Sequence, residues 1–118
     1  MMKLAFLAAP ALALALALPA AATAPPVGPL PPGKRIVVQT IEGELVAVAL
    51  PHVKGRNWRV ARAVNSRVLR QVSEADVGRS VVLVFRAVGE GKAKIIMALT
   101  RGEQPKAYRA VTYLVVVR

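Results

Sequence analysis

Valine is the residue that most constrains the fold of this chain. All 19 valines lie in residues 23–118, where about one residue in five is Val, and none lies in residues 1–22. β-branched side chains lose rotamer freedom in a helix and pack well on a pleated surface, so this excess favours sheet over helix. Of the 96 residues after position 22, 46 are apolar, which is ordinary for a soluble globular domain.

Residues 1–22 have the pattern of a secretory signal peptide. Lys3 supplies the positive charge, Leu4–Leu18 is an apolar core, and small residues lead to a predicted cleavage site after Ala22. An uncleaved membrane anchor is the alternative, but two prolines interrupt the segment and its apolar length is marginal for a stable span. We therefore expect export to the periplasm or the extracellular space, without a stable membrane span.

The next segment, residues 23–33, is rich in proline and separates the signal from the folded body. It holds five of the nine prolines of the chain, and proline cannot join the interior of a helix or sheet. We interpret it as a spacer. The predicted domain is then residues 34–118, which is long enough for one small two-layer core without covalent cross-links.

Short apolar runs separated by turn residues follow one another along residues 34–118, a pattern typical of an all-β sandwich. The Asn57–Val72 stretch is ambiguous, because valine recurs there every four residues between arginines, as in a basic amphipathic helix. The turn signal Asn65–Ser66 and the many β-branched residues favour two strands instead. The other predicted strands are Lys34–Ile41, Glu44–Leu50, Arg79–Val88, Lys92–Arg101 and Tyr108–Arg118.

The composition argues against most enzyme classes. The chain has no cysteine and a single histidine, His52. A disulfide framework, a thiol nucleophile and a cysteine-based zinc site are therefore excluded, and a Ser-His-Asp hydrolase or a multi-histidine metal centre is disfavoured. We expect no enzymatic activity, no cofactor and no metal site. His52 is expected to be a solvated loop side chain, Gly55 to form a turn with positive φ, and Trp58 to lie in the core.

The chain is strongly basic, with 17 Lys and Arg against 6 Asp and Glu and a formal net charge of +11. Such a field attracts acidic partners, among them anionic peptidases, phospholipid head groups and acidic glycans of the cell envelope. Nucleic acid is not expected as a partner, because the four aromatic residues after position 22 offer few stacking platforms. Alternatively, the arginines only occupy solvent-facing strand positions and discourage edge pairing.

Two stretches resemble the chagasin-type inhibitors of papain-like cysteine peptidases. The first comprises Gly43–Val46, Leu50–Pro51, Gly55 and Trp58, which match a G-E-L-V…L-P…G…W pattern in order. The second is Phe85–Arg101, whose glycine-containing turn and alternating apolar residues resemble the F-x-A…G hairpin that ends in R-P-W. The resemblance implies an immunoglobulin-like β-sandwich of about seven strands. It also implies that loops at one end of the sandwich insert into the active-site cleft of a peptidase.

On this resemblance the chain is a monomeric, exported and reversible inhibitor of a papain-like cysteine peptidase. All three loops depart from the family pattern. In the first, His52–Lys54 replaces a longer segment with two threonines, and Arg56 replaces an aromatic residue. Only Gly78 matches the glycine-rich middle loop, and Gly102–Glu103 replaces Pro-Trp in the third. The alternative function is a non-inhibitory basic immunoglobulin-like binding or adhesion module of the cell envelope that recognises acidic partners. The residues that the resemblance assigns to peptidase binding are His52, Val53, Lys54, Gly55, Arg56, Gly78, Arg101, Gly102 and Glu103.

Overall fold

The computed structural model describes residues 26–118, which consist of strands and the loops between them. The signal peptide predicted for residues 1–22 and the beginning of the proline-rich segment lie outside the described residues. No helix that could cross a membrane occurs within residues 26–118. The strands are β1 (Lys34–Thr40), β2 (Leu45–Pro51), β3 (Asn57–Val60), β4 (Leu69–Asp76), β5 (Ser80–Ala87), β6 (Gly91–Thr100) and β7 (Arg109–Val117).

The seven described strands form two sheets that pack face to face. One sheet has the order β1-β7-β6-β3 and the other has the order β2-β5-β4. Neighbouring strands are antiparallel, except for β1 and β7, which are parallel. The predicted all-β sandwich of about seven strands is confirmed.

The ambiguous stretch forms two strands, so the helical alternative is wrong. The carbonyl of Asn65 accepts hydrogen bonds from the amides of Val68 and Leu69, and its side chain accepts one from the amide of Arg67. This turn separates β3 from β4, as the Asn65–Ser66 signal predicted. A β-bulge at Val72 shifts the register of β4, and that valine is half exposed. Of the four periodic valines only Val68 is buried, so the four-residue period does not mark a buried face.

Alternating positions of the strands fill the space between the sheets, since successive side chains of a strand point to opposite faces. In β2, for example, Val46, Val48 and Leu50 are buried while the residues between them are exposed. Trp58 on β3 is 4% exposed and belongs to the same core, as predicted. The other large buried side chains of this core include Leu69, Leu83, Phe85, Ile95, Met97, Leu99 and Val115.

The proline-rich segment contacts the sandwich instead of standing apart from it as a spacer. Residues 26–33 form no strand, but Val27 is 6% exposed and packs against Ala61 and Ala98. The segment enters β1 at Gly33, where a Cβ atom would overlap the carbonyl oxygen of Ala110. Glycine is therefore required at this close approach of the two backbones. We call residues 27–33 the N-terminal strap.

Candidate functional site

The residues that the resemblance assigned to peptidase binding belong to three loops of the described chain. Loop L1, residues 52–56, joins β2 to β3, and loop L2, residues 77–79, joins β4 to β5. Loop L3, residues 101–108, joins β6 to β7. L1 contains His52, Val53, Lys54, Gly55 and Arg56, L2 contains Gly78, and L3 contains Arg101, Gly102 and Glu103.

The strand register brings the three loops to the same end of the sandwich. Pro51, at the start of L1, pairs with Ser80, which follows L2. Asn57, at the other end of L1, pairs with Thr100, which precedes L3. L1 therefore crosses from one sheet to the other between L2 and L3. Residues that are far apart in the sequence form one continuous end surface, as loops of a sandwich do.

L1 is a tight turn with a fixed stem. The amide of Arg56 donates to the carbonyl of Val53 at 3.1 Å, and Gly55 has a φ of 75°, as predicted. No atom lies within 4 Å of a Cβ placed on Gly55, so glycine is needed there for its backbone conformation alone. At the stem, the indole Nε1 of Trp58 donates to the carbonyl of Pro51 at 2.9 Å. The exposed tip, Lys54 and Gly55, thus projects from a rigid base.

His52 connects L1 to L2, which the sequence did not predict. Its Nε2 atom lies 2.6 Å from Oδ1 of Asp76, the last residue of β4, and its amide donates to the carbonyl of Arg79 at 2.9 Å. Asp76 is 24 positions away in the sequence, so no local pattern could have identified it. Both side chains are substantially exposed, at 38% and 69%. The pair therefore holds the loop in place with little gain in overall stability.

The described residues that line the cleft beside this pair do not include the hydroxyl nucleophile of a catalytic triad. The cleft has a volume of about 430 Å³. A histidine and a carboxylate without such a nucleophile cannot form a catalytic triad. Within residues 26–118, no group of three or more His, Cys, Asp and Glu is placed to hold a metal ion. The residues that line the cleft are His52, Arg56, Asn57, Trp58, Glu74, Ala75, Asp76 and Val81.

L3 folds back over the outer face of the sheet and is held there by Arg59. Its Nη2 atom donates to the carbonyls of Glu103 at 3.3 Å and Gln104 at 3.0 Å, and its Nε atom donates to Oγ1 of Thr100 at 3.2 Å. The Thr100 hydroxyl, fully buried, donates to the carbonyl of Gly102 at 2.8 Å. Hydrogen bonds from a charged donor to several carbonyls fix a loop more strongly than neutral contacts do.

L3 is longer than the sequence predicted, and this brings an aromatic residue into the site. The last strand was expected to start at Tyr108, but β7 begins at Arg109. The half-buried Tyr108 ring lies 3.8 Å from the Arg56 guanidinium and 5.0 Å from the Lys106 ammonium. The cation–π contact with Arg56 joins L1 to L3, and the contact with Lys106 lies within L3. Tyr108 was missed because the valine-rich run after it has no signal for where the strand begins.

The end surface is net basic, because five cationic side chains of the loops outnumber the one acidic side chain. Four of the cations extend into solvent, while Arg56 stacks on Tyr108 and is half buried. Exposed like charges at one end raise the rate of encounter with an acidic partner. The cations are Lys54, Arg56, Arg79, Arg101 and Lys106, and the acidic residue is Glu103.

Comparison with known proteins identifies the fold of this scaffold. No family model matches the chain, and no curated protein matches it. The cysteine protease inhibitor EhICP2 from Entamoeba histolytica is similar in structure, with a TM-score of 0.55 and 15% identity over 75% of this chain and 99% of that chain. Amebosin has a TM-score of 0.51 and 18% identity over 75% of this chain and 100% of that chain. The described chain therefore has the immunoglobulin-like β-sandwich fold of the chagasin type that the sequence resemblance implied.

Proposed function

We propose that this protein is a reversible, non-covalent inhibitor of papain-like cysteine peptidases. The observation that carries the proposal is the assembly of L1, L2 and L3 at one end of a sandwich similar in fold to a cysteine protease inhibitor. Inhibition acts by blockage: the loop end enters the active-site cleft and excludes substrate. No residue of the inhibitor reacts, and no cofactor is needed.

L1 is the loop that approaches the catalytic cysteine in this proposal. Its tip is narrow, because Gly55 has no side chain, and both Lys54 and Gly55 are exposed. The fixed stem supports this role, since a loop that is already ordered loses little conformational entropy on binding. A rigid turn also resists the extended conformation that a peptidase needs in order to cleave a bound segment.

L2 and L3 flank L1 and contact the walls of the cleft. Gly78 in L2 has a φ of 79° and Gly102 in L3 has a φ of 58°, so each loop turns sharply without a side chain at its bend. The carbonyls after Gly102 are held by Arg59, which keeps Arg101 and Glu103 at the surface.

The setting of this inhibition is the periplasm or the extracellular space, where the predicted signal peptide would deliver the chain. The inhibitor acts there as a monomer. Cleavage after Ala22 would remove Lys3, and the resulting formal charge of +10, from 16 Lys and Arg against 6 Asp and Glu, increases the rate of association with an acidic peptidase.

The second candidate function is a basic binding module that recognises acidic partners of the cell envelope. It is favoured by the net positive charge of the loop end and by the absence of a large aromatic residue from L1 and L2. Aromatic anchors in desolvated pockets usually dominate protein interfaces. A module of this kind binds through exposed charges, so its affinity falls steeply with salt.

A titration against papain and a cathepsin-L-like enzyme at ~0.15 M and ~0.5 M salt separates the two functions, because exposed charges are screened at the higher salt and buried contacts are not. The proposal predicts sub-micromolar inhibition at both salt concentrations. Matched variants locate the contact, since Lys54→Glu in L1 and Lys92→Glu in β6 change the net charge equally. We expect Lys54→Glu to weaken inhibition by about tenfold or more and Lys92→Glu to leave it unchanged at the higher salt. Absence of inhibition, or an equal effect of both variants, supports the basic module.

A further inference from the structure

The N-terminal strap lies directly against L3. The amide of Gly28 donates to the carbonyl of Pro105 at 2.8 Å. Leu30 of the strap and Ala107 of L3 pack against the same buried cluster on the outer face of the sheet. Beyond these contacts, residues 28–31 and 105–107 line one shallow groove. The second half of L3 therefore rests on the strap, whereas the first half is held by Arg59.

Arg62 fixes the strap in this position. Its Nη1 atom donates to the carbonyl of Val27 and its Nη2 atom donates to the carbonyl of Gly28, both at 3.0 Å. The same Nη1 also donates to the carbonyl of Ala61 at 2.9 Å, and the amide of Ala61 donates to Ile96 on β6 at 2.7 Å. The guanidinium thus links the strap to the sheet through one residue.

Apolar packing adds to these hydrogen bonds. The Val27 side chain, Ala61 and Ala98 are buried together on the face of β6 that points away from the main core. Ala98 is fully buried, although its position in β6 is on the outer face. The strap therefore covers this part of the sheet, and the burial of Val27 favours the docked position.

We propose that the strap and Arg62 are a positioning element that holds the second half of L3 in the conformation seen here. This inference rests on the proposed function in one respect only: if L3 contacts a peptidase, then the strap supports inhibition from outside the contact surface. Arg62 and Val27 are positioning residues, because they act on the peptidase only through L3. The functional unit then begins at Val27 and not at Lys34.

The test compares two strap variants, Arg62→Gln and Val27→Asp, with the control Arg86→Gln. Arg86 also donates to a loop carbonyl, that of Gly43 at 3.3 Å, but at the opposite end of the sandwich. Full-length protein is treated with trypsin, and cleavage after Lys106 in L3 and after Lys54 in L1 is followed by mass spectrometry. Exchange of the Gly28 amide hydrogen is measured in parallel, since this amide donates to Pro105.

We expect both strap variants to speed cleavage after Lys106 by about tenfold. For Arg62→Gln this corresponds to the loss of about one hydrogen bond from a charged group, and for Val27→Asp to the loss of apolar burial. Cleavage after Lys54 and the behaviour of Arg86→Gln should stay close to wild type, and the Gly28 amide should exchange faster in Arg62→Gln. The inference is overturned if cleavage after Lys106 is unchanged, or if cleavage after Lys54 and Lys106 increases equally, because that indicates global unfolding. Should Val27→Asp fail to fold, Arg62→Gln decides.

This assay tests the positioning role independently of the proposed inhibition, because it contains no cysteine peptidase. If the strap variants loosen L3 while the wild type inhibits no papain-like enzyme, the positioning role stands and the inhibitory function does not. If the wild type inhibits and the strap variants retain both its potency and its slow cleavage after Lys106, the positioning role is wrong.

Discussion

L1 and L3 lie side by side at one end of the sandwich, yet they are held in different ways. L1 combines a short backbone turn and a glycine with positive φ with contacts from its own side chains, from His52 to Asp76 and from Arg56 to Tyr108. L3 is ordered by residues from other parts of the chain, namely the side chains of Arg59 and Thr100 and the backbone of the N-terminal strap. Neighbouring loops of one candidate site therefore differ in how far the local sequence determines their shape. Local substitutions should perturb L1, and distant ones should perturb L3.

The largest effect is expected where L1 joins the core. Trp58→Ala removes a buried indole and its hydrogen bond to Pro51, which should lower the free energy of unfolding by about 3–5 kcal/mol. Trp58→Phe is the matched control, because it retains most of the apolar surface and loses the N–H donor, at a cost of about 1–3 kcal/mol. Urea denaturation followed by circular dichroism measures both. Equal costs for the two variants would mean that the hydrogen bond, and not packing, fixes the stem.

Arg59→Ala should have the next largest effect, and it should fall on L3. The variant loses the donors to Glu103, Gln104 and Thr100, which we expect to cost about 1.5–3 kcal/mol. Amide exchange should increase at Gln104, whose N–H donates to the carbonyl of Arg101, and stay slow in L1. Arg86→Ala serves as the control. The contrast between the loops breaks down if the two arginine variants are equally stable, or if L1 exchanges as fast as L3.

Alanine substitution of the two loop glycines should have a smaller effect on stability, and it should change the conformation of L1 and L3 to different extents. Gly55 and Gly102 both have positive φ, and a Cβ at either position meets no atom within 4 Å. Each substitution should therefore cost only backbone strain, about 1–2 kcal/mol. Because L1 has fewer distant contacts to hold it, Gly55→Ala should alter the L1 conformation while Gly102→Ala leaves L3 in place. Chemical shifts of the loop amides test this, and the reverse pattern would contradict it.

The smallest effect is expected for the contact between the His52 and Asp76 side chains, which joins L1 to L2. His52 and Asp76 are both substantially exposed, so His52→Ala or Asp76→Asn should change the free energy of unfolding by less than about 1 kcal/mol. The two changes combined should cost no more than either alone, since they remove the same contact. A double-mutant cycle in urea measures this. A coupling energy well above about 1 kcal/mol would show that the pair determines the structure of the end surface.

The sequence alone predicted the features that depend on residues close together in the chain. The valine-rich runs predicted the strands, the Asn65–Ser66 turn divided the ambiguous stretch correctly, and Gly55 and Trp58 have the predicted conformation and burial. Family resemblance, and not composition, grouped L1, L2 and L3 as one site. Whether those loops bind a peptidase stays a prediction.

The features that the sequence did not indicate all depend on contacts between distant residues. The side chain of Asp76 contacts His52, Arg59 donates hydrogen bonds to L3, and Arg62 donates hydrogen bonds to the strap. Each of these contacts joins residues that are 24 or more positions apart. An arginine in a strand looks the same in sequence whether it faces solvent or binds loop carbonyls. The prolines of the strap indicated only that it could not form the interior of a helix or a sheet. They did not indicate that it would lie against Ala61 and Ala98.

Blockage of the active site is tested by the rate at which a thiol-alkylating reagent modifies the catalytic cysteine of papain in the presence of saturating wild-type protein. We expect alkylation to slow in proportion to the fraction of papain bound, Lys54→Glu to lose this protection in step with its loss of inhibition, and the protein itself to stay uncleaved. Alkylation at the full rate in the bound complex would mean that the loop end lies elsewhere than over the active site.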